Sequence, residues 1–413
     1  MDIKITPSKL AGTVKIPPSK SVAHRMIIAA ALAEGRSEIS NLYPSEDILA
    51  TMECMRRLGA RIEFSGARAV VTGIEKIPEK AALDCGESGS TLRFLMPVAA
   101  ALGVECTFLG RGKLPVRPIT PYIEEFPGHG VTIDFSGAGE GEFLPCTIRG
   151  KLTSGDFSLS GGISSQFITG LLFALPVLDG DSRISLTSRL ESRPYVDITS
   201  GTLKDFGCEI TDTADGFSVR GGQVFTPFNG AVEGDYSQAA FFEVANALGS
   251  SVKIDGLNVN SYQGDKKIIE ICREMVYNKN GTLLPFELDC SDIPDLVPIL
   301  AVLGTFCMGR SHIANAARLR IKECDRLAAM AHNLNAVGAE ITELPDGLEL
   351  AGVGSLRGGV VDSCNDHRIA MAMAVASTRC TEPLIITGAE CVSKSYPNFW
   401  EDFRALGGNF EVI

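Results

Sequence analysis

The sequence predicts an α/β protein of six repeated units, three in each of two domains, on three observations. A small-residue apolar helix entered from a polar or Gly-rich loop recurs six times. Between copies, an amphipathic helix closes on glycine and runs into a strand of alternating Val, Ile and Thr. The 413 residues are also the length of two or three domains.

The apolar helices are expected at Ser21–Ala33, Ser90–Leu102, Ser165–Pro176, Ser237–Leu248, Asp292–Leu303 and His367–Ser377. The first is apolar nearly all round, which suits a buried helix. The helix–glycine–strand element reads clearly at Met52–Phe64, Leu203–Thr211, Leu334–Thr342 and Phe403–Ile413. Looser copies lie at Glu124–Phe135 and Ile271–Phe286. A period of roughly 55 to 80 residues is too long for a simple solenoid. It fits units that each hold one buried and one half-exposed helix. Gly- and Pro-containing crossings near Ala11–Ser21 and Gly230–Asp235 suit a division into three units and three.

The first buried helix follows Pro17-Pro18-Ser19-Lys20-Ser21. The prolines end an extended segment, and Ser19 or Ser21 is placed to cap the helix. Lys20 and Arg25 then sit where helix N–H groups and the positive dipole end favour an anion. Gly89, Ser90 and Arg93 open the second such helix, and a basic loop holding Arg117 follows. Ser164, Ser165 and Gln166 open the third, and Ser192 precedes Arg193-Pro194. Each loop taken singly reads equally well as a turn and cap.

The second half is sharper. Asp295 stands at the start of an otherwise apolar helix. Arg318–Arg326 carries six charged residues in nine. A helix starting near Lys322 would put Lys322 and Arg326 on one face with Glu323 three before Arg326, although such runs are commonly solvated ion-pair ladders. Asn365-Asp366-His367-Arg368 opens the sixth buried helix, and Lys394 lies in Ser393–Pro397. Lys20, Arg25, Arg93, Arg117, Lys322, Arg326, Arg368 and Lys394 thus occupy equivalent ends of the units. Two phosphorylated carboxylates carry roughly −5 to −6, a charge that eight cations can hold without a metal. Asp295 and Glu323 among them suit proton transfer.

Composition excludes several classes. A hydrophobic content of 45% and a charged content of 21% are those of a globular protein. A net charge of −12 argues against nucleic acid and against an anionic membrane surface. Twelve cysteines without a C-x-x-C pair read as reduced thiols rather than a zinc or disulfide framework. The N-terminus has no apolar signal core, and the apolar runs Phe167–Leu178 and Val297–Met308 are too short to span a bilayer. A cytoplasmic protein is expected. Neither nucleotide fingerprint, G-x-G-x-x-G or G-x-x-x-x-G-K-[ST], is present.

Eight motifs in order resemble the 5-enolpyruvylshikimate-3-phosphate synthase family along nearly the whole chain. They are P-S-K-S-x-x-x-R at 18–25, G-x-S-G-S-T-x-R at 86–93, R-P-I at 117–119, S-S-Q-F at 164–167, I-P-D at 293–295, R-I-K-E-C-D-R at 320–326, N-D-H-R at 365–368 and S-K-S-Y-P at 393–397. The resemblance implies two inverted α/β barrels, buried helices inside and sheets outside. Domain I would be 1–20 plus 233–413 and domain II 21–232, with the active site in the cleft between them. It implies transfer of the enolpyruvyl group of phosphoenolpyruvate to the 5-hydroxyl of shikimate 3-phosphate through a tetrahedral adduct, with no cofactor or metal, by a monomer.

By the same resemblance, Lys20, Ser21, Arg25, Ser164, Ser165, Gln166, Ser192, Asp295 and Lys322 would surround shikimate 3-phosphate. Lys20, Gly89, Arg93, Arg117, Gln166, Glu323, Arg326, Arg368 and Lys394 would hold phosphoenolpyruvate. Asp295, Glu323 and Lys20 are the candidates for moving protons. Glu87 stands where an Asn is more usual and Ser90 where a Thr is, and Gly89 matches the glycine that leaves room for glyphosate. The rivals are UDP-N-acetylglucosamine enolpyruvyl transferase and a non-catalytic anion-binding homologue. The first typically has Lys-Asn where this chain has Lys20-Ser21, and a reactive Cys in the loop that here spans Gly110–Pro118 without one.

Overall fold

Helices apolar on every face can satisfy their backbone and still exclude water only inside the protein, and six helices do so. In the computed structural model, which describes residues 1–275 and 282–413, they are Lys20–Leu32, Gly89–Leu102, Ser165–Ala174, Tyr236–Ala247, Val297–Thr305 and His367–Ala376. All nine residues of Val297–Thr305 and all ten of His367–Ala376 are buried.

The chain divides into two units. Met1–Pro17 with Gly234–Ile413 forms one, and Pro18–Glu233 forms the other. Three of the apolar helices and three sheets belong to each.

In the Pro18–Glu233 unit every sheet has four strands in one pattern: a parallel pair, then two antiparallel neighbours. Lys80–Asp84 runs parallel to Glu105–Leu109, which pairs antiparallel with Cys146–Gly150 and through it with Val131–Asp134. Asp156–Leu159, Ser182–Leu186, Gly216–Val219 and Ile210–Thr213 repeat it. In the remaining sheet the last strand of the unit, Asn229–Ala231, pairs parallel with Arg36–Ser40, near its start. A parallel pair needs a crossover, and an apolar helix supplies it between Lys80–Asp84 and Glu105–Leu109 and between Asp156–Leu159 and Ser182–Leu186.

The other unit repeats the pattern with Glu287–Asp289, Arg310–Ala314, Gly347–Ala351 and Glu340–Leu344. Gly359–Asp362, Leu384–Thr387, Ile3–Thr6 and Asn409–Val412 make a second sheet, so the N-terminal strand completes the last repeat. Its third sheet pairs Ser251–Asp255 with Ala11–Lys15 among the described residues. The looser repeat expected at Ile271–Phe286 lies partly outside them.

The predicted glycine stops are observed. Gly59 follows the helix Glu46–Arg57 with φ +109°, and a Cβ there would stand 2.4 Å from the Lys76 carbonyl oxygen. Only glycine fits. Gly207, Gly338 and Gly407 take the same role before strands, also with positive φ.

Two local expectations need correction. Ser19 is the N-cap residue of the first apolar helix, yet its side chain makes no capping hydrogen bond. The helix after the charged run begins at Arg326, not near Lys322. Asp325 caps it by accepting the Ala328 N–H at 3.1 Å, and a 3-10 turn, Ala317–Ile321, precedes it. Lys322 and Glu323 are therefore not helical. No helix among the described residues is long and apolar enough to cross a membrane.

Candidate active site

In the Pro18–Glu233 unit, Lys20 and Ser21 open the first apolar helix, and Lys20 Nζ is 2.8 Å from Asp47 Oδ2. Asp47 lies in the first turn of Glu46–Arg57, so one helix start presents an ammonium to another helix's acidic start. Gly89 opens the second apolar helix, whose cap is Ser88, accepting the Thr91 N–H at 3.1 Å. A Cβ on Gly89 would lie 2.7 Å from an Arg117 guanidinium nitrogen. The missing side chain is what lets Arg117, itself buried, lie against the helix start. Arg93, one turn further, donates to Gln166 Oε1 at 2.7 Å and to the Pro118 carbonyl at 3.0 Å, and stacks over Phe167. Gln166 in turn donates to Ser90 Oγ at 2.9 Å. Gly89, Arg93, Arg117, Ser90 and Gln166 thus form one connected patch, with Ser164 and Ser165 at the same helix start as Gln166.

Arg25 reaches the same two apolar helices through other residues, including Thr169 Oγ1 at 3.3 Å. Arg25 is buried and lies 5.0 Å over the Phe94 ring. It donates to the Thr199 hydroxyl and to the carbonyls of Ser21 and Tyr195 at 2.7–2.9 Å. Burial lowers its pKa to about 9. In this state it braces the helices. Ser192 is buried at the start of Arg193–Asp205, with a left-handed backbone at φ 57°.

In the other unit the charged motifs converge on Arg326, whose side chain is only 2% exposed. Its Nε bonds Asp366 Oδ2 at 2.7 Å, and its two terminal nitrogens reach Asp295 and Glu323 at 2.9 Å each. Burial alone would lower the Arg326 pKa, but Asp366, then Glu323 and Asp295, drive it well above the ordinary value. Asp295 also accepts from Arg368 at 2.9 Å. Burial would raise the Asp295 pKa, and Arg368, Lys322 and Arg326 outweigh it, holding the carboxyl far below the usual range. Lys394 donates to the Asn365 carbonyl at 2.8 Å, at the loop that opens the His367–Ala376 helix. Asp295, Lys322, Glu323, Arg326 and Arg368 therefore share one electrostatic cluster.

Sequence reasoning missed three acids here. Asp366 is fully buried, caps the Arg368 N–H at 2.9 Å and is the strongest partner of Arg326. An acid in the cap position of an apolar helix was its signal. Asp47 had a weaker one, an acidic first turn. Asp265, in the turn Gly264–Lys266, gave none. It is buried, its Oδ2 accepts the Ser237 hydroxyl, and its Oδ1 has no hydrogen-bond partner. Burial, then Asp295, raises its pKa to about 7 against Arg368 and Ser237.

That shift has a sign that can be measured. The folded protein holds a proton on Asp265 that the unfolded chain releases near 3.8. The stability this proton contributes is complete below 3.8 and is lost as pH rises through about 7. Asp265→Asn is expected to gain on the wild type across that window by up to about 1.4 kcal/mol per pH unit. Urea unfolding of both proteins at about pH 5 and about pH 7.5 measures the difference. Parallel stabilities at the two pH values would contradict the assignment.

Cations and carboxylates at the loops opening apolar helices are the equipment of a protein that binds small, multiply anionic ligands. Comparison with known proteins narrows the class. A family model described as EPSP synthase (3-phosphoshikimate 1-carboxyvinyltransferase) matches residues 5–403. A Clostridium novyi protein named 3-phosphoshikimate 1-carboxyvinyltransferase is 50% identical, covering 98% of each chain. One of the same name from Clostridium beijerinckii is 46% identical over 99% of this chain and 98% of its own. Among solved structures, EPSP synthase from Acinetobacter baumannii is similar with a TM-score of 0.82 and 27% identity over 100% of both chains. The chain belongs to the EPSP synthase family.

Proposed function

We infer that this chain transfers the enolpyruvyl group of phosphoenolpyruvate to the 5-hydroxyl of shikimate 3-phosphate, giving 5-enolpyruvylshikimate 3-phosphate and inorganic phosphate. Family membership over nearly the whole chain carries the reaction. The observation in this chain that supports a mechanism is Asp295, ionised between Arg326 and Arg368.

In the proposed mechanism, substrate anions take up part of the positive charge that now holds Asp295 ionised. Its basicity rises as they bind, so it becomes a competent base only in the loaded site. Asp295 then accepts the proton of the attacking 5-hydroxyl. Glu323 and Lys20 are the candidates for delivering a proton to the phosphoenolpyruvate methylene carbon and recovering it as phosphate leaves. Arg93, Arg117, Arg326, Arg368 and Lys394, with Gly89 giving close backbone approach, stabilise charge on phosphoenolpyruvate and on the tetrahedral adduct. Gln166, joined to Arg93 and Ser90, is suited to touch both substrates. Ser21, Ser164, Ser165, Ser192 and Lys322 serve shikimate 3-phosphate. Arg25 joins them only by giving up its internal hydrogen bonds. The enzyme works in the cytoplasm as a monomer, and the net charge of −12 disfavours nucleic acid as a partner.

Phosphate release from phosphoenolpyruvate tests the acceptor. Release is expected with shikimate 3-phosphate and not with UDP-N-acetylglucosamine. Release with the nucleotide sugar alone would overturn the acceptor, and none with either would favour an anion-binding homologue.

A further inference from the structure

We propose that His24 is a positioning residue: neutral, with its proton on Nδ1, it starts a one-way chain of hydroxyls that fixes the start of the helix carrying Gly89 and Arg93. The consequence for phosphoenolpyruvate rests on the function proposed above, while the direction of the chain does not.

Four buried side chains make it: His24, Thr51, Thr91 and Ser88. His24 Nδ1 lies 2.7 Å from Thr51 Oγ1, and Thr51 Oγ1 lies 2.7 Å from Thr91 Oγ1. Thr91 Oγ1 donates to Ser88 Oγ at 2.7 Å. Three helices are joined in this way. His24 belongs to Lys20–Leu32, Thr51 to Glu46–Arg57 and Thr91 to Gly89–Leu102, which Ser88 caps.

A hydroxyl has one proton to give, so each bond decides the next. Ser88 Oγ accepts twice, from the Thr91 N–H at 3.1 Å and from the Thr91 hydroxyl. Thr91 has spent its proton there and must accept from Thr51. Thr51 has then spent its own and must accept from His24. The imidazole proton is therefore on Nδ1. Nε2 has no hydrogen-bond partner among the described residues, so a second proton there would be a buried charge with nothing to receive it. Burial, then Lys20 and Arg25, push the His24 pKa well below its ordinary value, in agreement.

The chain lies where the site needs rigidity. Lys20 bonds Asp47 one helical turn before His24 bonds Thr51, so the same two helices are joined by two successive rungs. Thr91, between Gly89 and Arg93 in sequence, ties the third helix to the second rung. Buried hydrogen bonds in sequence specify one rotation of each helix, which apolar contacts of the same size do not. With the chain cut, Gly89 and Arg93 lose that constraint.

Proton–nitrogen NMR of the histidine rings in the full-length protein reads the direction without an activity assay, the signal being assigned by its loss in His24→Gln. A neutral ring with Nδ1 protonated is expected from about pH 6 to about pH 8, the range in which an ordinary histidine titrates. Thr51→Val keeps the shape and cuts the chain at its middle. Hydrogen exchange at Gly89–Arg93 should quicken, and KM for phosphoenolpyruvate should rise about tenfold, the cost of one misaligned hydrogen bond. KM for shikimate 3-phosphate should change less. Thr91→Val, cutting the next bond, should do the same, and Thr51→Ser, which returns the hydroxyl, should recover both readouts. A proton on Nε2 overturns the proposal, whether or not the valine variants fold. So does wild-type exchange in a folded valine variant, or a Thr51→Ser protein that behaves like Thr51→Val. Faster exchange in a chain whose parent lacks transferase activity would refute the function and leave the positioning standing.

Discussion

Asp295→Asn is expected to lower turnover by about 10²–10⁴-fold, the range for a lost acid–base group. The side chain is a carboxylate facing two guanidinium groups, Arg326 and Arg368, each at 2.9 Å. Asparagine keeps the shape and one acceptor oxygen but cannot take a proton from the 5-hydroxyl. The fold should survive, because Arg326 retains Asp366 and Glu323, and Arg368 retains the residue 295 carbonyl at 3.2 Å. Steady-state kinetics of the purified variant would therefore show kcat falling much further than KM changes. Near-native turnover would remove Asp295 from the chemistry.

The second large effect is on stability. Asp366→Ala is expected to destabilise the protein by about 3–5 kcal/mol, the cost of leaving a buried charge without its principal partner. Arg326 cannot reach water to compensate, and losing the cap on the Arg368 N–H adds about 1 kcal/mol. Asp366→Asn keeps the cap and should lose less. Urea unfolding of the two variants against wild type measures both quantities. A change within about 1 kcal/mol for the alanine variant would mean that Arg326 is held by Asp295 and Glu323 alone.

These two residues also mark what the sequence makes legible. Asp295 could be singled out because a carboxylate opening an otherwise apolar helix has no local reason to be there. Asp366 sits in the N-D-H-R motif, but its importance depends on Arg326, forty positions away in the chain. Lys20 and Asp47 meet in the same long-range way. Spacing along a chain reports which residues share a helix face, and it cannot report which loops the sheets bring together.

The six apolar helices were readable because their composition leaves them no exposed face, and the glycine stops because only glycine takes the required φ. The start of the helix at Arg326 was not. Asp325 competes for the backbone N–H of Ala328, and that side-chain bond fixes the boundary against a charge spacing that favours Lys322. Arg25 has partners that spacing does not report either. Its guanidinium bonds the Thr199 hydroxyl and the Tyr195 carbonyl, some 170 positions further along the chain.

In the proposed mechanism a proton is added to, and then removed from, the methylene carbon of phosphoenolpyruvate as the group is transferred. Turnover in deuterium oxide, followed by proton NMR of the product vinyl group, tests it most directly. Deuterium is expected in the vinyl positions of 5-enolpyruvylshikimate 3-phosphate, appearing only when both substrates are present. Product formed with phosphate release and no deuterium in the vinyl group would contradict the addition–elimination route.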